Sequence, residues 1–441
     1  MPWLIAAFLV MLFLVPFDEI TFKVHLPMDS KPDRVVLGLM ILVWICRAWQ
    51  GKTRANRRRR TSLERAIIVY TGVVLLSIVL NIDRMVQLNE LTFAEKRLFQ
   101  LLGYMIFFFL VATTLRMAEI PAYTKLVLTL TCITALGTLY EAHTGYNVFY
   151  LWSAKILKPI ASVAPPPTAI NLSYGRPTVV GPTAHGLAVT SMLTIALPFA
   201  VLPLLKAQTL RKRIGYIIVI GLILAAELST ARKTAFIAPM GAFIVLVAYN
   251  RRLLRYSPLA VIALIPVIHF AAPGTIGTLT SILGSAKSSD STAGRVSDYS
   301  AVAPDIYTHL IAGSGYGTLN PDNYRWYRIL DNEYLDELFQ LGLLGLLSYL
   351  AIVVCAVTTA HRVIKRGGPR APPTLAAAAG CVAYGVVSAT FDATGFPQAP
   401  YTFLFAAALI VVAAVSQRKE DKAAEDASLV DVSRLYLEPA L

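Results

Sequence analysis

Long apolar stretches separated by short charged clusters set the pattern of this chain. The stretches Leu98–Leu115, Leu338–His361, Ala371–Phe391 and Ala393–Gln417 contain no Asp, Glu, Lys or Arg. Each is long enough, as a helix, to cross a hydrocarbon core of about 30 Å. The same reading along the whole chain predicts about twelve helices. They lie near 2–17, 34–48, 65–81, 98–115, 121–140, 187–205, 213–229, 234–250, 258–273, 338–360, 373–391 and 400–416. The expected fold class is therefore all-α, a polytopic membrane protein. Residues 1–416 form its integral membrane domain, and 417–441 are expected to be a flexible cytoplasmic tail. Met1–Phe17 lacks a basic leading region and a small-residue cleavage site, so it reads as a retained first span.

Composition sharpens this picture. Of 441 residues, 56% are hydrophobic and 15% charged, against roughly 25% charged in soluble domains. An ordinary soluble globule is excluded. The net charge of +14 is spread in clusters between apolar blocks rather than gathered on one domain, which argues against nucleic acid as a partner. The cluster Arg47–Arg65 carries the run Arg57-Arg58-Arg59-Arg60. Placed in the cytoplasm, it sets every other loop by alternation. The basic clusters at Lys206–Arg213, Arg251–Arg255 and Arg362–Arg370 then also fall inside, and both termini are cytoplasmic.

Two loops on the outer side are long, 141–186 and 274–337. Loops of this length are functional or carry short helices of their own, so function is expected on the outer face. All four cysteines lie inside apolar blocks, without zinc-ligand spacing. The histidines likewise show no metal spacing, and His185 reads as a plain solvated side chain.

A few polar residues break the pattern. Ser229-Thr230-Ala231-Arg232-Lys233-Thr234 joins two spans on the outer side with two cations and no acid. Arg232 is either a snorkelling partner of Glu227 or part of an anion site, since a guanidinium grips phosphate with two parallel N–H bonds. A second outer arginine is Arg295 in Ser291–Arg295. The run Gly313-Ser314-Gly315-Tyr316-Gly317 is a set of tight turns or a loose phosphate cradle. Asn323–Arg328 mixes aromatics and arginines, which suits a membrane-interface belt better than a sugar platform. Helical rotation from Asp331 groups it with Leu335, Leu338 and Gly342, and puts Glu333 and Glu337 on another face. Asp331 is expected to face the bundle, as a functional carboxylate, a helix cap or both, with its acidic neighbours in water.

With these motifs in order, the chain resembles the O-antigen ligase and O-antigen polymerase superfamily of bacterial envelope glycosyltransferases. The resemblance rests on Tyr140–Gly145, Gly175-Arg176, Val180–Thr183, Ser229–Arg232, Ala293–Arg295, Gly313–Gly317, Asp331–Leu335 and Leu341–Gly345. It implies a large outer loop over a cavity in the bacterial inner membrane. It also implies transfer of a glycan from undecaprenyl diphosphate to a glycan or lipid acceptor, without metal or other cofactor. Membrane lipid and envelope-assembly proteins complete the implied partners. The family's arginines match Arg232 and Arg295, with Arg176 a third. Lys233, Asn332, Gly315 and Tyr316 are the further substrate-binding candidates. Ligases typically carry His before the Asn, where this chain has Asp331; the pair Asp331-Asn332 looks more like the polymerase branch.

Fixed guanidinium groups aimed at the leaving diphosphate stabilise the transition state more than the ground state. Asp331 is the candidate base for the acceptor hydroxyl. The alternatives are a ligase acting on a lipid or protein acceptor and, in another class, a flippase for lipid-linked glycan. Against a flippase, the candidate charges lie at the ends of spans, whereas transporter sites sit near the midplane. The orientation has a direct check in a background lacking the native cysteines. An impermeant maleimide should label Ser291→Cys but not Arg57→Cys in intact cells, and the reverse pattern would invert the topology.

Overall fold

The computed structural model describes residues 2–23, 31–50, 60–166, 172–173, 176–255, 290–318, 323 and 330–437. Helices dominate: α1 (Pro2–Leu14), α2 (Pro32–Trp49), α3 (Ser62–Leu80), α4 (Ile82–Gln87), α5 (Leu91–Thr114), α6 (Ile120–Thr144), α7 (Val148–Leu157), α8 (Gly186–Ala196), α9 (Pro198–Lys206), α10 (Leu210–Ser229), α11 (Thr234–Tyr249), α12 (Asp290–Thr308), α13 (Glu333–Arg366), α14 (Ala371–Ser388) and α15 (Gln398–Leu437). Every stretch predicted as a span is helical except 258–273, which lies outside the described residues, as do Arg57–Arg59 and 324–329. Among the described residues, seven helical stretches are long and apolar enough to cross a membrane: 62–80, 91–114, 117–144, 186–206, 333–366, 371–388 and 398–423. The described residues thus do not show the expected count of about twelve. The helix of 2–14 is too short for that criterion, and so is that of 234–249. The loop 141–186 does carry short elements. Helix α7 and strand β2 (Ala161–Val163) follow α6, and β2 pairs antiparallel with β1 (Ile20–Phe22).

Local chemistry accounts for the helix ends. Thr61 and Glu64 form a reciprocal capping box at α3, with Glu64 N donating to Thr61 Oγ1 and Thr61 N donating to Glu64 Oε2. Gly145 ends α6 in the left-handed region, φ 74°, its N–H donating to Glu141 O. Burial sorts the helices into centre and rim. The windows of 398–423 and 186–206 are 89% and 83% buried within the protein, against 33% for 62–80 and 39% for 333–366. The central helices meet through small residues. Ala376, Ala377 and Ala379 are fully buried, and a Cβ added at Gly241 would lie 2.7 Å from Val386 Cγ2. Phe8, Phe107, Tyr104 and Tyr401 stack across α1, α5 and α15. Rim residues such as Val69, Val79, Leu347 and Val354 point outward, as lipid-facing positions do. At the far end, α15 continues past 417 as helix, where Glu420 pairs with Arg370 and Asp421 with Arg366.

Helix α13 is broken at Gly342, φ 66° and ψ −161°. The glycine run 313–317 splices into the break. Ser314 N donates to Phe339 O, Gly315 N to Gln340 O, Gly317 N to Gln340 Oε1 and Leu343 N to Leu310 O. Ser77 Oγ of α3 donates to Ala312 O and to Gln340 O. The freed helical carbonyls are thus met by neighbouring chain, as membrane depth requires. A Cβ at Gly342 would lie 2.4 Å from Ile311 O, and one at Gly313 2.2 Å from Gln340 O. Gly342→Ala and Gly313→Ala should each cost on the order of 3 kcal/mol or more. Gly367 also has positive φ, with ψ −153°, but open space around it, so Gly367→Ala should cost only the backbone strain, about 1–3 kcal/mol and less than at the two crowded glycines. Melting midpoints of the three purified variants check this ranking.

Candidate functional site

Three segments meet at one end of the bundle: the turn Ser229–Thr234, the loop 178–186 and the loop 389–397 between α14 and α15. The first reverses direction within a few residues. Ser229 Oγ donates to Ala226 O and Thr230 Oγ1 to Glu227 O, closing α10. Ala231 then adopts φ 53°, uncommon for a residue with a Cβ. The reversal sets Arg232 and Lys233, both half-buried, ahead of α11. The Glu227–Arg232 pairing, one of the two sequence readings, does not form. Glu227 is fully buried and accepts a hydrogen bond from Thr194 Oγ1 of α8 at 2.9 Å. The turn at Ala231 ends the helical register that would have aligned the two.

The second segment explains two sequence motifs at once. Glu141, buried in the last turn of α6, accepts from Val180 N at 3.3 Å and Gly181 N at 2.8 Å. Asn147 Nδ2 donates to Gly181 O and Tyr150 OH to Thr183 O. Tyr140–Gly145 and Val180–Thr183 therefore form one clamp that fixes the approach to α8. Gly186 follows, where an added Cβ would lie 2.8 Å from Val179 O and 3.8 Å from Arg232 Nε. Glycine lets this loop close on Val179 O, and the loop lies beside the arginine. His185 is not the solvated residue expected from sequence. It is half-buried, stacks on Phe396 at 5.0 Å and Phe391 at 6.2 Å between ring centres, and caps α8. Burial, aided by the nearby Arg232 charge, lowers its pKa to about 4.

The third segment carries the densest polar network. Asp331 is exposed and Asn332 is the cap of α13, accepting from Tyr334 N and Leu335 N. Glu333, Asp336 and Glu337 are buried. The expected orientation is thus inverted, and Asp331 is not the cap. Partners from distant helices make the inversion possible. Thr394 N and Oγ1 donate to the two oxygens of Glu333 at 2.9 and 2.8 Å. Tyr70 OH of α3 donates to Glu337 Oε1, and Gln340 Nε2 to Asp336 Oδ2. Arg97 of α5 pairs with Asp392 at 2.9 Å, and Gly395 N donates to Asp392 Oδ1. Burial pushes the Asp392 carboxyl up, but Arg97 and the hydrogen bonds outweigh it and hold it below the usual range. Glu333, Asp336 and Asp392 bring carboxylate oxygens within 4.8 Å of one another, the described residues best arranged for a cation. Arg97 already occupies one side of that cluster.

The other predicted residues are placed as follows. Arg295 lies in α12, which packs through Val302 and Ile306 on Leu335 and Phe339 of α13. Tyr299 OH of the same helix accepts from Asn332 Nδ2 at 2.8 Å. The helix of Arg295 therefore sits on the segment of Asp331 and Asn332. Tyr316 is buried, and the N–H of Gly315 is taken by Gln340 O, so the glycine run braces a broken helix and is not an open phosphate cradle. The backbone of Arg176 lies in the two-residue strand Arg176–Pro177, paired with Leu172–Ser173.

Residues 215–350 match a family described as O-Antigen ligase. The chain carries an O-antigen ligase family domain. It is a multi-pass membrane enzyme of glycosyltransferase type, in a family whose substrates are lipid-linked glycans. No curated protein matches the chain. The matched stretch holds Arg232, Lys233, Arg295, Gly315, Tyr316, Asp331 and Asn332. It leaves out Arg97, Glu141, His185 and Asp392, which the structure packs beside them.

Glu141 lies in the motif Tyr140–Gly145 and His185 reads from sequence as solvated, but Arg97 and Asp392 were missed. Each borders a charge-free block, while their pairing spans 295 residues of sequence. Charge at the ends of two separate blocks was the available signal. Asp392→Asn would leave Arg97 partly buried without its counter-charge and should cost about 3 kcal/mol. Arg97→Met combined with Asp392→Leu should melt closer to wild type than Asp392→Asn alone. Thermal melting of the purified variants tests both statements.

Proposed function

We propose that the protein transfers a glycan from undecaprenyl diphosphate to an acceptor hydroxyl at the outer face of the bacterial inner membrane, in polymerisation of an O-antigen-like polysaccharide. The observation that carries this reading is Arg232. It lies within the matched O-antigen ligase stretch and is displayed by a backbone reversal in the left-handed region, packed against a glycine loop. Breaking the anomeric carbon–oxygen bond leaves negative charge on a diphosphate, and a guanidinium held in place stabilises that charge as it grows. Arg295 is the second such group in this reading, and Arg176 and Lys233 add positive charge for the donor. Asp331 accepts the proton of the acceptor hydroxyl. It is solvent-exposed and stands just before the cap of α13, whereas Glu333 is buried with both oxygens committed to Thr394. Asn332 fixes the start of α13, and Gly315 and Tyr316 brace it from behind. The polymerase reading over the ligase reading rests on Asp331 where ligases carry His.

Variants assayed on an undecaprenyl-diphosphate-linked oligosaccharide test the assignment. Arg232→Lys keeps the charge but loses the planar fork, and turnover should fall on the order of 10²-fold. Asp331→Asn should be nearly inactive yet melt like wild type, because Asn332 supplies the cap. Normal turnover by Arg232→Lys would remove the diphosphate site, and normal turnover by Asp331→Asn would remove the base.

A further inference from the structure

His185 combines three features that a merely structural residue does not need together. Its Nδ1 accepts from Leu187 N at 3.3 Å, so in the neutral ring the proton sits on Nε2. Its ring stacks on Phe396 at 5.0 Å and packs near Phe391, and this contact together with the Nδ1 hydrogen bond sets the plane and therefore the direction of Nε2–H. No described residue takes that proton, and the side chain is only half-buried. Arg232 lies beside the same loop, with its Nε 3.8 Å from the place a Gly186 Cβ would occupy.

We propose that His185 is a substrate-binding residue, whose Nε2–H donates a hydrogen bond to a diphosphate oxygen of the lipid-linked donor alongside Arg232. This rests on the glycan-transfer reading above and names a further contact in that site. A neutral donor is suited to the place. A second cation there would be repelled by Arg232, and burial with that charge keeps the imidazole uncharged, with its pKa near 4. The stacking on Phe396 and the Nδ1 hydrogen bond set the donor's aim, which matters because an anion's oxygens reward direction as well as charge. His185 also explains why the loop 389–397 carries Phe391 and Phe396. The segment that buries Asp392 and holds Glu333 through Thr394 also fixes the ring beside the arginine.

Three substitutions separate this role from helix capping. His185→Asn keeps an acceptor where Nδ1 caps α8 but has no group at Nε2. His185→Gln reaches the Nε2 position with an amide N–H. His185→Phe keeps the stacking and loses both polar atoms. The readouts are KM for an undecaprenyl-diphosphate-linked oligosaccharide and the melting shift given by undecaprenyl diphosphate alone. His185→Phe and His185→Asn should raise KM roughly tenfold or more, as loss of a hydrogen bond to a charged group does. His185→Gln should come back to within a few-fold of wild type. Wild-type KM in His185→Asn with His185→Gln as poor as His185→Phe would make His185 a cap and overturn the inference. So would an unchanged KM in all three. Arg232→Lys, assayed beside them, separates the two levels. If it is crippled while the His185 variants keep wild-type KM, only this inference fails; if it too is unaffected, the diphosphate site falls with it.

Discussion

Burying four carboxyls beside one guanidinium, at the end of a membrane bundle, is the constraint on which the rest of this structure depends. Such a cluster is costly unless each group finds a donor or a counter-charge. Asp392 meets Arg97, Glu333 meets Thr394, Asp336 meets Gln340 and Glu337 meets Tyr70. Those partners come from α3, α5, α13 and the loop 389–397. No one of these elements can shift without leaving a buried polar group unmet. The cluster therefore pins the start of α13, and with it the exposed Asp331 and the capping Asn332. Gly342 breaks the same helix behind the cluster, which lets the chain at 310–317 cover the freed carbonyls.

The loop 389–397 joins that anchored half to the other half of the site. On one side Thr394 and Asp392 hold α13 and α5. On the other, Phe391 and Phe396 hold His185, whose loop is clamped by Glu141 and lies against Arg232. The arginine turn and the Asp331 segment are far apart in sequence yet are positioned through this one connection. A transfer reaction that needs a fixed cation at the leaving group and a fixed acceptor group benefits from such a shared support.

Much of the fold was legible because membrane spans announce themselves by lacking charge. The helices from Leu91, Gly186, Ala371 and Gln398 all contain stretches that no soluble surface would tolerate. The span count was less secure, since α1 and α11 are helical but short. Arg232 was legible because its two cations sit where the charge pattern expects none. Asp331 was placed on the wrong face because rotation along one helix records which residues share a face, and not which partners wait on other helices. Glu333 and Glu337 look like water-facing acids until Thr394 and Tyr70 are known to approach. His185 looked ordinary because the rings that enclose it come from 391 and 396. Pairings of this kind are set by packing, and local pattern does not carry them.

The central claim is that this bundle end accepts a diphosphate-linked glycan and releases the lipid diphosphate. The most direct measurement incubates the purified wild-type protein, in a bilayer, with undecaprenyl-diphosphate-linked oligosaccharide, and follows free undecaprenyl diphosphate together with glycan length. The account predicts that both rise together, one lipid diphosphate released for each glycan joined. Intact donor after prolonged incubation with a competent acceptor, or loss of donor with no joined glycan, would contradict it.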